Sequence, residues 1–135
     1  MKHYFVDTNV IIDMLANRRE FADAASDLFD AAGRREICLY ISSLSYANVY
    51  YIVRRYLGHD KTIESLKALS DYVTIVPVTG KVIGLALSSD FNDFEDAIQY
   101  YSAIQKKSVR YIVTRNIKDF KYSELPVIEP KDYKL

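Results

Sequence analysis

Residues 3–12 read HYFVDTNVII. Tyr4, Phe5 and Val6 form a short β-branched and aromatic run that suits a buried strand, and Val10, Ile11 and Ile12 resume the apolar pattern. Between the two runs stand Asp7, Thr8 and Asn9. An ionised carboxylate at the end of a buried strand is costly unless donors, a cation or a metal ion compensates it. Two readings of Asp7 follow. It is the N-cap of the next helix, a task Thr8 and Asn9 could share, or it is a ligand of a bound cation.

Working outward from that stretch, short β-branched and aromatic runs alternate with segments of helical period. Strands are expected at about Tyr4 to Val6, Ile37 to Ile41, Val73 to Val76 and Arg110 to Val113, with an edge strand near Val127 and Ile128. A helix should start at Thr8 or Asn9 and end near ANRRE, and a second should run from about Glu20 to Ala32, stopped by Gly33. Ser43 is expected to cap a third that reaches Gly58, and Asp60 a fourth from Lys61 to Tyr72. Two more cover Lys81 to Ser88 and Phe94 to Lys106, and His3 and His59 fall at a strand start and in a loop. Alternating strands and helices force parallel pairing, with right-handed crossovers that place helices on the sheet faces. The expected fold class is α/β, three layers α/β/α around a central parallel sheet of about five strands, with residues 1–135 forming one domain. Ligands of such sheets collect beyond the carboxyl ends of the strands, so the polar residues just after each strand matter most.

Composition narrows the partners. Lys plus Arg number 18 and Asp plus Glu number 18, so no sequence-wide basic excess marks a nucleic-acid binder, and any such partner must be held by a local patch. Half the residues are apolar and 13% aromatic, with twelve Tyr and no Trp, which is too hydrophobic for a disordered chain. Cys38 is the only cysteine, which excludes an intramolecular disulfide and suits a buried thiol in a reducing cytoplasm. No basic segment followed by an apolar run opens the chain, and no apolar stretch approaches ~18 residues. A cytoplasmic protein with no membrane partner is expected.

Two strands end in polar clusters, YFVDTN at Asp7 and YIVTRNIKDF at Thr114, Asn116 and Asp119. Parallel packing would bring both to one edge. In SSDFNDFEDAIQYYSAIQ, the residues Phe94, Ala97, Ile98, Tyr101 and Ile104 recur at helical spacing as a core-facing stripe, and Asp93 and Asp96 lie three apart beside it. Asp90, Asp93 and Glu95 are individually explained as acids that complement a helix dipole. Asp96 is less easily explained so, because it abuts the stripe and precedes the small Ala97. Oxygen ligands without His or Cys companions suit a hard cation, Mg²⁺ or Mn²⁺. Such an ion can bind a phosphodiester oxygen, acidify a water and stabilise a leaving oxygen, which is the chemistry of phosphodiester hydrolysis.

The blocks FVDTNVIIDML, ISSLSYANVYYIVRR, DFEDAIQYYSAIQ and YIVTRNIKDF, in that order and spacing, resemble a PIN domain, the fold of the VapC-like ribonuclease toxins. The similarity spans nearly the whole chain. It implies a set of acids at the carboxyl edge of a parallel sheet that holds Mg²⁺ or Mn²⁺ and cleaves single-stranded RNA. It also implies an antitoxin that covers the acidic edge, and a homodimer. By the resemblance, Asp7 stands at the family's first aspartate, Asn9 at the asparagine that often follows it, and Asp96 at the third acidic position. Two positions depart. Asn48 stands where the helix after S-x-x-S usually carries glutamate, and Asn116 where TRD is common. An amide oxygen can ligate an ion but attracts it less and cannot act as a base. One branch of the family carries asparagine at both places beside DFEDA and VTRN blocks, so the departures read as a trait of that branch. Asp93 could restore part of the lost charge, as a ligand or as support to one; Asp119 is a weaker candidate, read first as a turn cap.

Ser45, Asn48, Tyr51 or Ile52, and Arg55 recur along one side of the third helix and could position RNA by stacking and phosphate contact. The plainer reading is a solvated face, with Tyr46, Tyr50 and Tyr51 packing the core or a dimer interface and Arg54 and Arg55 as surface cations. The expected substrate-positioning residues are Asn9, Ser45, Thr114 and Arg55; the expected catalytic set is Asp7, Asp96, Asp93, Asn48 and Asn116, with Asp7, Asp96 and Asn116 on the metal. Three functions compete: a metal-dependent ribonuclease toxin; a catalytically weak or inactive PIN-fold module that binds RNA or a protein; and an aspartate-nucleophile phosphatase. The phosphatase is disfavoured because Asn9 stands where a second aspartate is usual.

Overall fold

The computed structural model describes residues 1–135. Its strands are β1 (Lys2–Val6), β2 (Ile37–Ser42), β3 (Val73–Val76), β4 (Tyr111–Val113) and β5 (Val127–Ile128). All pair in parallel, in the order β3-β2-β1-β4-β5, with Tyr4 opposite Leu39 and Tyr111 and Val6 opposite Val113. Side chains alternate across a strand, so Tyr4 and Val6 enter one core while Phe5 enters another. All three are buried, as a central strand covered on both faces requires.

The helices are α1 (Thr8–Leu15), α2 (Ala22–Gly33), α3 (Ser43–Ser70), α4 (Gly80–Leu87) and α5 (Phe94–Gln105). On one face, Ile11, Leu28 and Val49 from α1, α2 and α3 close over Tyr4, Val6, Leu39 and Ile41. On the other, Tyr100 and Ala103 of α5 meet Phe5, Tyr40 and Ile112, and Ala97 and Ile98 of the same helix meet Val82 and Ala86 of α4. Each fully buried side chain of this kind contributes about 1.5–3 kcal/mol. The three-layer α/β/α arrangement with a five-stranded parallel sheet is the one expected from the sequence. No helix is long and apolar enough to cross a membrane.

Several local expectations are corrected. Ser42, not Ser43, caps α3, accepting from the Ser45 N–H at 3.3 Å; the Ser43 hydroxyl instead accepts from the Val78 N–H at 3.0 Å. Within α3 the chain kinks at Gly58, at φ 79° and ψ 172°, so the expected third and fourth helices do part at that residue; the second resumes at once, which places His59 in a helix and Asp60 inside it, not at its cap. Gly33 is the last helical residue, and the chain turns out of α2 through Arg35, at φ 60°. Gly33 answers to packing: a Cβ there would stand 2.7 Å from the Tyr72 ring. The stripe on α5 is also displaced. Phe94 and Ile104 are exposed, whereas Ala97 to Tyr100, Ser102 and Ala103 are buried, because α5 is covered by the sheet on one side and α4 on another.

The glycines of α3 and α4 should respond oppositely to alanine. Gly58→Ala forces a side chain into the left-handed region and is expected to lower stability by about 1 kcal/mol. Gly84→Ala, in the middle of α4 with open space at its Cβ, should raise it by about 0.5–1 kcal/mol. Urea unfolding of the two variants checks both signs.

Candidate active site

The strand order reverses between β1 and β4, so a crevice is expected where their carboxyl ends part. Asp7 leaves β1 at that point and Thr114 leaves β4 beside it. The Asp7 N–H donates to the Val113 carbonyl at 2.9 Å, continuing the sheet by one bond, and the Thr114 hydroxyl donates to Asp7 Oδ2 at 2.8 Å. Asp7 Oδ1 accepts from the Thr8 N–H at 2.8 Å. Asp7 is therefore the N-cap of α1, but it reaches only the first helical N–H and not the second or third that an N-cap usually satisfies. Burial pushes its carboxyl up to about 6, against the pull of the Thr114 and Thr8 hydrogen bonds and with further repulsion from Asp119. Capping leaves this carboxylate under-compensated.

Asp96 lies in the first turn of α5, half-buried, behind the N-cap Asp93, whose Oδ1 accepts from the Asp96 N–H at 3.0 Å. Burial, then repulsion from Asp93, Asp7, Asp119 and Glu95, pushes its carboxyl up to about 7. A cavity of about 260 Å³ is lined by Asp7 and Asp96 together with Asn9, Asn48, Tyr51 and Glu95, among others. The floor is a hydroxyl–amide network. Thr8 Oγ1 and Ser45 Oγ lie 2.7 Å apart, and Gln99 Nε2 donates to both at 2.6 and 3.0 Å. Gln99 Oε1 is buried without a partner.

Of the expected site residues, Asp7, Asp96, Asn9 and Asn48 share this cavity, and Ser45 lies buried beneath it. Asn48 donates to Glu95 Oε1 at 3.4 Å across the opening. Thr114 is buried and holds Asp7. The Asn116 side chain does not line the cavity; its backbone N–H donates to Thr114 Oγ1 at 3.1 Å. Asp93 lines an adjoining cavity with Asp96 and Asp119, while Arg55 is exposed and outside both. No three His, Cys, Asp or Glu side chains form a ready-made cation cage. The donor set is two acidic side chains with a nearby amide in one open cavity, which suits a cation that keeps several waters and takes one or two carboxylates. Burial raises both carboxyls, with repulsion from Asp119 added at each and from Asp7 at Asp96, so a cation between them would relieve both and Mg²⁺ or Mn²⁺ fits these residues.

Two supports were not evident from the sequence. Gln99 falls three residues after Asp96 in an otherwise core-facing run, and that polar intrusion was the available signal. Asp13, inside the apolar VIIDML, is buried and pairs with Arg115, Nε to Oδ2 at 2.5 Å and Nη2 to Oδ1 at 3.2 Å, and with Arg18 at 3.3 Å. Arg115 also stacks 4.1 Å over the Phe21 ring. The pair ties the segment carrying Thr114 to α1, and thereby to Asp7.

Two predictions follow from the geometry. Asp13→Leu strands the Arg115 guanidinium and should cost about 3 kcal/mol in urea unfolding, most of it regained in the Asp13→Leu/Arg115→Leu double variant. The raised carboxyl of Asp96 opposes ionisation in the folded state. Its contribution to stability is complete below the ordinary value of 3.8 and is lost as pH rises through about 7. Metal-free protein should thus melt several degrees lower at pH 8 than at pH 5, and Asp96→Asn should shrink that difference.

The family described as "PIN domain" matches residues 3–118. A curated protein, "Ribonuclease VapC1" of Aquifex aeolicus (strain VF5), is 25% identical over 134 residues, 96% of this chain and 91% of that protein. Among solved structures, a "Toxin-antitoxin complex from Klebsiella pneumoniae" superposes with a TM-score of 0.67 at 22% identity, covering 98% of this chain and 99% of that one. FitAB bound to an IR36 DNA fragment gives 0.70 at 17% identity over 98% of each chain. Mycobacterium tuberculosis VapC20, described as a "Sarcin-Ricin loop cleaving toxin", gives 0.63 at 18% identity over 81% of this chain and 86% of that one. At these identities the solved structures share the fold.

Proposed function

The chain belongs to the PIN domain family, and from that premise we propose that it is a metal-dependent ribonuclease, hydrolysing phosphodiester bonds of single-stranded RNA as the toxin of a toxin-antitoxin pair. The observation that carries this reading is the pair Asp7 and Asp96, brought from separate elements into one open cavity, each with its carboxyl raised toward neutrality. Support for the activity comes from the relative named a ribonuclease, and support for a protein partner from the similarity to toxin-antitoxin complexes.

In this reading Asp7 and Asp96 would hold Mg²⁺ or Mn²⁺; Asn116, the further ligand position named by the motif, has its side chain outside their cavity and acts through its backbone. The ion supplies Lewis-acid polarisation of the phosphodiester and acidifies water when bound. Thr114 and the Thr8 N–H orient the Asp7 carboxylate, and Asn116 steadies Thr114 through its backbone. Asn48 offers a neutral amide at the rim, bonded to Glu95; it can orient a phosphate oxygen or a water but cannot take a proton. With an ion bound, both carboxyls would be held ionised, so the raised Asp96 carboxyl belongs to the metal-free protein. Thr8, Ser45 and Gln99 hold the start of α1 against α5, so that the two acids keep their separation. Tyr51, exposed beside the cavity, presents a ring to an unstacked base, while Asn9 and Arg55 are the remaining positioning residues.

Residues 1–135 act as one domain in this account, in a reducing cytoplasm that suits the lone Cys38, paired as a homodimer and neutralised by an antitoxin over the acidic edge. A second reading is favoured by one observation: with Asn48 and Asn116 where acids are usual, no three acids gather around a cation. It makes the chain a weak or inactive module that binds RNA or protein.

A mixed-sequence single-stranded RNA incubated with purified protein and Mn²⁺ separates the two. The nuclease should cut it, lose the activity in EDTA, and lose at least about a hundredfold in rate in Asp7→Asn, as expected when several kcal/mol of charge stabilisation go. Equal decay by wild type and variant overturns the nuclease, and RNA binding without any metal binding favours the module.

A further inference from the structure

A second cavity, of about 300 Å³, adjoins the first and shares Asp96 with it. Its other walls include Asp93, Asp119, Lys118, Lys121 and Tyr122. The last four come from one 3₁₀ turn, Ile117–Phe120, and the two residues after it. Phe120 is buried in the core beneath α5, which anchors the turn and leaves the side chains on either side of it facing outward.

The two lysines are the informative feature. Both are exposed, and neither forms an ion pair, although three aspartates line the same cavity. Lys121 Nζ stands 5.1 Å from the centroid of the Tyr122 ring. That ring is 47% exposed and borders an aromatic shelf, 5.8 Å from Phe91. Exposed lysines without an ion pair, beside a half-exposed aromatic ring, can serve a nucleotide of a single strand, phosphate on the cations and base on the ring once Lys121 swings from over Tyr122 to the phosphate. A chain with zero formal charge needs such a local patch, because no global field draws RNA to it.

We propose that this cavity binds the nucleotide adjoining the scissile phosphate of single-stranded RNA, with Lys118 and Lys121 on its phosphate and Tyr122 stacked on its base. The proposal rests on the nuclease reading and extends it. The strand then crosses Asp96 from the Tyr51 side to the Tyr122 side. Lys118, Lys121 and Tyr122 are positioning residues, distant from proton transfer.

Fluorescence anisotropy of a labelled ten-nucleotide mixed-sequence RNA, measured with Mg²⁺ over a salt series in the non-cleaving Asp7→Asn protein, tests this. Lys118→Gln/Lys121→Gln should weaken binding at least about tenfold at low salt and flatten the salt slope by about 0.7, the share of one neutralised phosphate. Tyr122→Ala should cost at least about fivefold and Tyr122→Phe little, and on an oligomer of abasic sugars Tyr122→Ala should match its parent. These side chains are exposed, so melting temperatures should not move. Unchanged affinity and salt slope in the lysine variants, or no binding by the parent, overturns the subsite. Cleavage by the wild-type protein in Mn²⁺ is a separate result, so the nuclease reading can survive that failure.

Discussion

The hydrogen bond from Thr114 to Asp7 joins the ends of the two central strands, and the acidic edge depends on it. It holds a buried carboxylate in place without neutralising it. Burial raises the Asp7 carboxyl, the hydrogen bonds from Thr114 and Thr8 lower it, and burial prevails. A strand end that carries such a charge is a poor structural solution, since an amide could cap α1 at less cost. The cost becomes intelligible if a cation completes the site.

Around that bond the structure is built in supporting layers. The ion pair of Asp13 with Arg115 fixes the segment after β4 to α1, while Gln99 bridges α1, α3 and α5 through Thr8 and Ser45. Asp93 caps α5 through the N–H of Asp96. The acids thus sit on helix starts held by the neutral Thr8–Ser45–Gln99 network, the Asp13–Arg115 pair and the Asp93 cap. Like charges are gathered by the fold and not by attraction between them.

Much of this was legible in the sequence because its periodicities are strong. VTIV at residues 73–76 and YIV at residues 111–113 lie within a residue of the strands their composition predicts, and parallel order brings Asp7 and Thr114 to one edge, while Asp96 is pointed to by helical spacing and the family resemblance. What was not legible depends on tertiary context. Ser42 and Ser43 are interchangeable caps on paper, and only the position of Val78 assigns Ser43 elsewhere. Gly33 looks like a helix stop, yet its role is to admit the Tyr72 ring. The core face of α5 departs from the expected stripe because a helix covered on two sides buries more than one. Arg55 shares a helical spacing with Asn48 but lies outside the cavity, and the Asn116 side chain misses it too, since spacing gives a direction and not a reach.

The central claim is that Asp7 and Asp96 jointly hold a divalent cation. The most direct measurement is anomalous diffraction from a crystal soaked in Mn²⁺. The account predicts one peak in contact with both carboxylates. No peak at high Mn²⁺, or a peak held by Asp93 and Asp119 without Asp7, would contradict it.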